Sequence, residues 1–480
     1  MSQQDRTSDL VINHQTIKQV VDWLLVPALF AGMQIRAGAK WKPRMLAAAA
    51  LLWACSDLVN LKDRFAVARK IVARVFRWQP PPGQTYQGFM KMLGKWHLDL
   101  MMVIQPHVRA QMREVLPGQW EIAGFVVFAG DGSRVELART KSLEEAYSAT
   151  KKRKKKAPRK KDGQERSRAK GQAKNKTQSM ASMEKKANSP QMWLTLLWHV
   201  GTGLPWAWRT GPSDSSERAH LEEMLVELPE NSLITADAGF VGYHFWKAIL
   251  EGQHHFLARV GGNVSLLKKL GCARQHEHTV YLWPDAVAKK KESPLVLRLI
   301  VIHDGKHPVY LVTDLNKSRL SDRQAATIYA RRWGIELFFR TVKQTFGRSK
   351  LRSHSAENAK LELDWSLLGV WCICLLGQRE LAANGTDTER LSPAGAISAF
   401  QASLRDWRVR PDTPDESLWN LLRVAVQDDY TRSSSKTSRN YPRKKQRQRI
   451  TQPKITNATK QQNNAAKQLA QNQSDFRLPA

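Results

Sequence analysis

The chain has 480 residues, 42% of them hydrophobic, which is enough to build buried cores for several domains and too apolar for a wholly disordered protein. Lys and Arg total 76 against 43 Asp and Glu, a net charge of +33 with an isoelectric point near 10.2, a balance that points to nucleic acid because Lys and Arg displace counterions from phosphates. The longest apolar runs, 45–55 and 367–376, are too short to cross a bilayer, no secretory leader opens the chain, and four Cys (Cys55, Cys272, Cys372, Cys374) are too few for a disulfide framework, so the expected location is the cytoplasm.

Residues 1–115 read as helical. A segment over 61–78 carries Arg64, Arg69, Lys70, Arg74 and Arg77, either a groove-entering basic helix or a structural cap, and Thr85 is placed to cap a helix running to 116. The pattern then changes. Residues 121–129 form a continuous apolar strand that ends in Gly130-Asp131-Gly132, with 135–137 as a second short strand. A mixed core begins at 116 and runs to 261, interrupted by a basic arm at 145–189. Sixteen basic and three acidic side chains fall within 151–186. Residues 192–200 and 204–209 read as a strand pair, and 215–228 as a helix capped by Asp214 with Glu217 three residues on. A strand at 232–235 runs into Ala236-Asp237-Ala238-Gly239, followed by a helix at 243–251 and a strand at 256–260.

Residues 262–316 form a strand-rich insertion, with strands at 280–283, 295–303 and 309–313 and a turn at Asp304-Gly305. The core is completed over 317–380 by a long helix at 321–345 and a buried helix at 359–378. A helical region, a candidate for dimerisation, follows at 381–430. The tail from 431 to 480 is polar, with twelve basic and one acidic side chain over 432–480, and is expected to be disordered. Without the arm and the tail about +9 of the charge remains. Neither segment has the apolar face of an interfacial helix, so phosphate is the expected contact and membrane is not. The fold class is α/β.

Asp131 and Asp237 each end an apolar strand, a position from which a rigidly held acid reaches solvent. At about 100° per residue with Tyr329 at zero, Arg332, Glu336, Arg340 and Lys343 fall near −60°, −20°, +20° and −40°, and Trp333 near +40°. This stripe has two readings. One is a solvated, salt-bridged helix face. In the other, Glu336 binds a divalent metal, Arg332, Arg340 and Lys343 bind phosphates, and Trp333 stacks on a base. Phosphodiester cleavage by water favours the second. Two Mg²⁺ ions roughly 4 Å apart activate the nucleophile and stabilise the leaving oxygen, and such hard cations take carboxylate oxygens. Two strand-end Asp and one helix Glu supply that set, provided that they converge. Mn²⁺ is the natural substitute.

Other candidates carry less. The His276-Glu277-His278 pair of imidazoles lies in a loop. Asp314 follows an apolar strand and competes as a third strand-end acid. Ser133 and Ser215 lack a His partner, and Arg259 either reaches phosphate or closes a surface salt bridge.

The pattern Tyr329-x2-Arg332-x3-Glu336-x6-Lys343 resembles the Y-R-E-K signature of the insertion-sequence-four family of DDE transposases. The Gly130-Asp131-Gly132 and Thr235-Ala236-Asp237-Ala238-Gly239-Phe240 segments resemble that family's two Asp motifs, over roughly 85–425 in all. The resemblance implies an RNase H-like catalytic core with a β-strand insertion between the second Asp and the Glu. It implies metal ligation by Asp131, Asp237 and Glu336, and phosphate contacts by Tyr329, Arg332 and Lys343. Trp333 is similar to the family residue that helps hold a flipped base beside a DNA hairpin. Family members cut and paste double-stranded DNA through such a hairpin, as homodimers on two transposon ends, in a bacterial cytoplasm at the nucleoid. Arg340 stands where a Lys is common, which keeps the charge and changes its geometry. Two further readings stay open: a transposase-derived DNA-binding protein without catalysis, and an RNase H-like nuclease that cuts without joining.

Overall fold

The computed structural model describes residues 16–149, 190–271, 278–304, 307–409, 418–427 and 452–472, apart from positions 35 and 37. The basic arm at 151–186, Cys272, His276, Glu277, Gly305 and much of the tail lie outside these residues.

A helical segment at 16–24 precedes α1 (Pro43–Cys55), α2 (Leu61–Val75) and α3 (Tyr86–Val115). Pro43 opens α1 where a missing N–H costs no hydrogen bond, and the Ala- and Leu-rich run behind it is buried on nearly every side. Asn60 caps α2 by accepting from the Lys62 N–H at 2.9 Å, and Thr85 caps α3 by accepting from the Gly88 N–H at 3.2 Å. The ring of Phe89 joins these helices, with centroids 5.1 Å from Phe65, 5.5 Å from Trp41 and 5.9 Å from Trp53. Arg64 is not a groove-facing base. It is 4% exposed, donates to the Leu58 carbonyl, and lies 3.9 Å from the buried Glu362.

Next come β1 (Val126–Glu136), α4 (Lys141–Tyr147), β2 (Gln191–His199), β3 (Leu204–Gly211), α5 (Glu217–Met224), β4 (Ser232–Ala236), α6 (Tyr243–Glu251) and β5 (His255–Val260). They are followed by β6 (Ser265–Lys268), β7 (Thr279–Leu282), α7 (Asp285–Lys289), β8 (Leu295–Asp304), β9 (His307–Thr313), α8 (Asp322–Arg331) and α9 (Gly334–Arg340). Last are α10 (Ala356–Ala383), α11 (Pro393–Val409), α12 (Leu418–Arg423), β10 (Lys454–Asn457) and α13 (Lys460–Asn472). The strands form one sheet in the order β10-β6-β7-β8-β9-β5-β4-β1-β2-β3. β1, β2 and β3 are antiparallel neighbours, β4 and β5 run parallel to β1, and β9 returns antiparallel to β5. In the β2–β3 turn, Gly203 has φ +68°, and a Cβ on Gly201 would lie 2.0 Å from the Gln119 carbonyl oxygen, so glycine is required at both.

Three expectations change. Residues 126–136 are one continuous strand, because β2 pairs with β1 from Phe128 to Glu136, so Gly130-Asp131-Gly132 is strand interior and not a turn. Residues 262–316 hold strands β6–β9, and the last of them, β9, covers the edge of β5 and so continues the core sheet. The tail is not structureless throughout. β10 pairs parallel with β6 and α13 buries Ala466, contacts made by backbone hydrogen bonds and one small side chain that a polar composition conceals. The helix expected at 321–345 tightens at Trp333–Glu336, where the N–H groups of Trp333, Ile335 and Glu336 bond three residues back. It then widens into a π-helical turn over Thr341–Thr345.

α10 joins the helical and sheet layers, packing on α1 and α3 and on β3. Its buried Asp364 accepts from Trp208 Nε1 at 2.8 Å and Lys360 Nζ at 2.6 Å, and lies 2.9 Å from His97 Nε2. Burial alone would raise its pKa, but the His97 and Lys360 contacts hold it below the usual carboxylate range. Cys55, Cys372 and Cys374 are buried thiols. Among the described residues no helix is long and apolar enough to cross a membrane.

Candidate active site

β4 pairs with β1 in parallel register from Val126↔Ser232 to Ala129↔Thr235. The same stagger carried two residues on sets Asp131 opposite Asp237, just past the last paired position, on strands about 4.8 Å apart. The Asp131 carboxylate accepts from the Gly132 N–H at 2.9 Å. The Asp237 carboxylate accepts from the Gly239 N–H at 2.8 Å and caps a short 3₁₀ turn. Burial, together with the charges of Asp237 and Glu336, pushes the Asp131 carboxyl up to about 6, although the Gly132 N–H and Arg332 pull it down.

The helix pair α8–α9 faces this acid pair. Arg332, at the tight turn between the helices, is 8% exposed, and its Nη2 lies 3.3 Å from Glu336 Oε1. Its guanidinium sits 5.5 Å from the centroid of the half-buried Tyr329 ring, and its Nε is buried with no hydrogen-bond partner among the described residues. From the π-helical turn, Lys343 Nζ donates to Ser133 Oγ at 2.6 Å. Ser133 is two residues beyond Asp131 and so shares its face of β1. Burial lowers the Lys343 pKa.

Asp131, Asp237, Arg332, Glu336 and Lys343 thus meet around one strand edge. Trp333 is beside them at the start of α9, 51% exposed. Arg340 is different. It is exposed, makes no hydrogen bond or ion pair among the described residues, and lines a neighbouring cavity of about 470 Å³ with Arg331, Leu337 and Phe338. The uniform helical wheel fails at the tight turn and again at the π-helical turn, where the rotation per residue changes.

The acids do not form a ready-made cage. Among the described residues no three Asp, Glu, His or Cys side chains are drawn together closely enough to hold a metal ion. Glu336 is instead paired with Arg332, at 3.3 Å. The expected convergence is therefore a shared notch and not a finished ligand set.

The remaining candidates resolve locally. Asp314 accepts from the Phe256 N–H at 3.0 Å and pairs with His255, so it fastens β5 to the end of β9. Ser133 is bound to Lys343, and Ser215 lies in the turn before α5. Arg259 follows Ala258, which pairs with Ala236, so it continues the row of Asp131 and Asp237, with a buried Nε that has no partner among the described residues. Sequence reasoning missed Glu217. The α5 cap is Ser216, accepting from the Ala219 N–H at 3.4 Å, and not Asp214. That shift makes Glu217 the first residue of the helix, and its carboxylate lies over Gly132. Three adjacent capping types, Asp214, Ser215 and Ser216, hid the true start.

Residues 126–372, just over half of the chain, match the family model described as the transposase DDE domain. The chain is similar to the transposase InsG for insertion sequence element IS4 of Escherichia coli (strain K12). The two are 29% identical over 169 residues, 33% of this chain and 37% of that protein, so the chain spans little more than a third of that relative's length. A solved structure of the piggyBac transposase synaptic complex with hairpin DNA is similar at 12% identity with a TM-score of 0.37, covering 92% of this chain and 90% of that one.

Proposed function

The chain belongs to the transposase DDE domain family, of the IS4 type, and from that premise we propose that it cuts DNA at transposon ends and joins the freed ends to target DNA. The observation that carries this reading is the β1–β4 register, which brings Asp131 beside Asp237 with Glu336 facing them. The donors are few and all oxygen, the set that Mg²⁺ or Mn²⁺ takes while keeping positions for water and phosphate. The raised Asp131 pKa is compatible with the same group: burial first, and then the charges of Asp237 and Glu336, disfavour its carboxylate, and a bound cation would offset both. Asp131, Asp237 and Glu336 would hold two such ions, which supply an activated water or 3′-hydroxyl and a stabilised leaving oxygen.

The other side chains have work that needs no metal. Arg332 holds Glu336 with Nη2, so a DNA phosphate bound by the guanidinium would compete with that ion pair and free the Glu336 carboxylate to turn inward. Lys343 and Tyr329 flank the path of that phosphate, and the exposed Trp333 offers a stacking face for an unpaired base. The strand order β3-β2-β1-β4-β5, antiparallel then parallel, supports an RNase H-like core with β6–β9 as its insertion. The proposal extends to cut-and-paste transposition through a hairpin on the transposon end. In it a homodimer uses 1–115 to recognise the end, 381–430 to dimerise and the basic arm to grip phosphate, at the bacterial nucleoid.

A joining assay tests it. Full-length protein, Mg²⁺ and a pre-cut transposon end should insert that end into supercoiled target DNA. Cutting without joining would favour a nuclease of the same fold. Binding with neither reaction would favour a transposase-derived DNA-binding protein.

A further inference from the structure

Gly130 and Gly132 face α5 from one side of β1, while Asp131 between them faces α9 from the other. A Cβ on Gly130 would come within 2.6 Å of Leu221 Cδ2, and a Cβ on Gly132 within 2.6 Å of Glu217 Oε1. Leu221 and Glu217 are four residues apart on α5, so a single helix face closes on the two glycines. Without those glycines the Glu217 carboxylate could not approach the strand that carries Asp131. β4 stops pairing with β1 at Ala129, so no ladder separates Glu217 from the acid pair. Burial, then the charges of Asp131 and Asp237, push the Glu217 carboxyl up to about 7, with Arg134 acting against them. Glu217 makes no hydrogen bond or ion pair among the described residues. Arg332, beside the notch, is more than nine-tenths buried with an Nε that has no partner among the described residues, and Glu336 already draws on its charge. A half-buried fourth carboxylate in this place, with no ion pair among the described residues, is hard to explain as scaffold.

We propose that Glu217 is a fourth carboxylate of this centre, joining Asp131 and Asp237 in holding the divalent cation directly or through one of the cation's waters. The proposal rests on the transposase reading above, and its test separates the two. Full-length protein is titrated with Mn²⁺, and free Mn²⁺ is followed by electron paramagnetic resonance. Glu217→Gln, which keeps the shape and loses the charge, should weaken Mn²⁺ binding about tenfold, the usual effect of a residue next to a metal's ligands. Gly132→Ala should weaken it similarly, because the new methyl displaces the carboxylate. In Glu217→Gln DNA affinity should stay at the wild-type value and the melting temperature should not fall; without divalent cation near pH 7.5 it should rise, because a buried charge has been removed. If Glu217→Gln binds Mn²⁺ like the wild type while Asp131→Asn does not, Glu217 is no part of the centre and the transposase reading stands. If Asp131→Asn also binds like the wild type, or the wild type does not bind, both fall. A weakening matched by loss of folded protein would make Glu217 a scaffold residue and overturn the proposal.

Discussion

Glu336→Gln is expected to lower Mg²⁺-dependent end cleavage and joining by about a thousandfold or more, while DNA affinity stays within about twofold of the wild type. The substitution conserves volume, so α9 and its packing should be unchanged. It removes one anionic oxygen donor from a set that has few. It also releases Arg332 from its ion pair, which leaves the guanidinium free for phosphate and should hold or slightly strengthen DNA binding. Gel-shift titration and a cleavage time course on the same preparation check both halves. Equal loss of binding and cleavage would place Glu336 in DNA contact or in folding and not in cation chemistry.

Asp131→Asn is expected to stabilise the protein near pH 7.5 in the absence of divalent cations by about 2–3 kcal/mol, and to leave its stability at pH 4 nearly unchanged. The sign follows from the direction of the shift. Burial and the neighbouring acids raise the folded-state value from 3.8 to about 6. Between those values the folded protein holds a proton that the unfolded chain has released. Stability is therefore full below about 4 and declines as the pH rises through 6. Glu217, raised to about 7, contributes in the same direction over a slightly higher window. Denaturant midpoints across pH 4–8 read the effect. Mg²⁺ should restore stability to the wild type at pH 7.5 and do little for the Asn variant. A wild-type midpoint that rises steadily from pH 4 to 7.5 would contradict the account of crowded, uncompensated carboxylates.

Much of the core was legible because apolar strands announce themselves. Residues 122–129 and 233–236 are short runs dominated by apolar side chains, and an acid just past each is visible by inspection. That the two acids lie opposite each other was not legible, because parallel register is fixed by side-chain packing across the sheet and not by anything local to either motif. The Tyr329–Lys343 stripe was visible through its spacing, but its geometry was not. Gly334 lies against the Trp198 indole, with an added Cβ only 3.3 Å from Nε1, and next to it the helix tightens, which shifts Arg340 to a different surface.

Glu217 was hidden for a related reason. Its place depends on which of three adjacent residues caps α5 and on two glycines some eighty-five positions earlier, a contact that exists only after α5 folds back onto β1. Arg64 misled in the opposite way. A basic residue on an amphipathic helix reads as solvent-facing, yet its partners, Leu58 and Glu362, come from a loop and from the distant α10. The tail strand β10 is built from main-chain hydrogen bonds to β6, which any polar sequence can make.

The claim on which the rest depends is that Asp131, Asp237 and Glu336 serve one cation site. Fe²⁺ placed in that site with ascorbate generates hydroxyl radicals that cut the backbone nearest the metal. The account predicts three sets of fragments, ending near 131, 237 and 336, that Mg²⁺ suppresses together in the DNA-bound protein. Cuts confined to one of these segments, or insensitive to Mg²⁺, would contradict it.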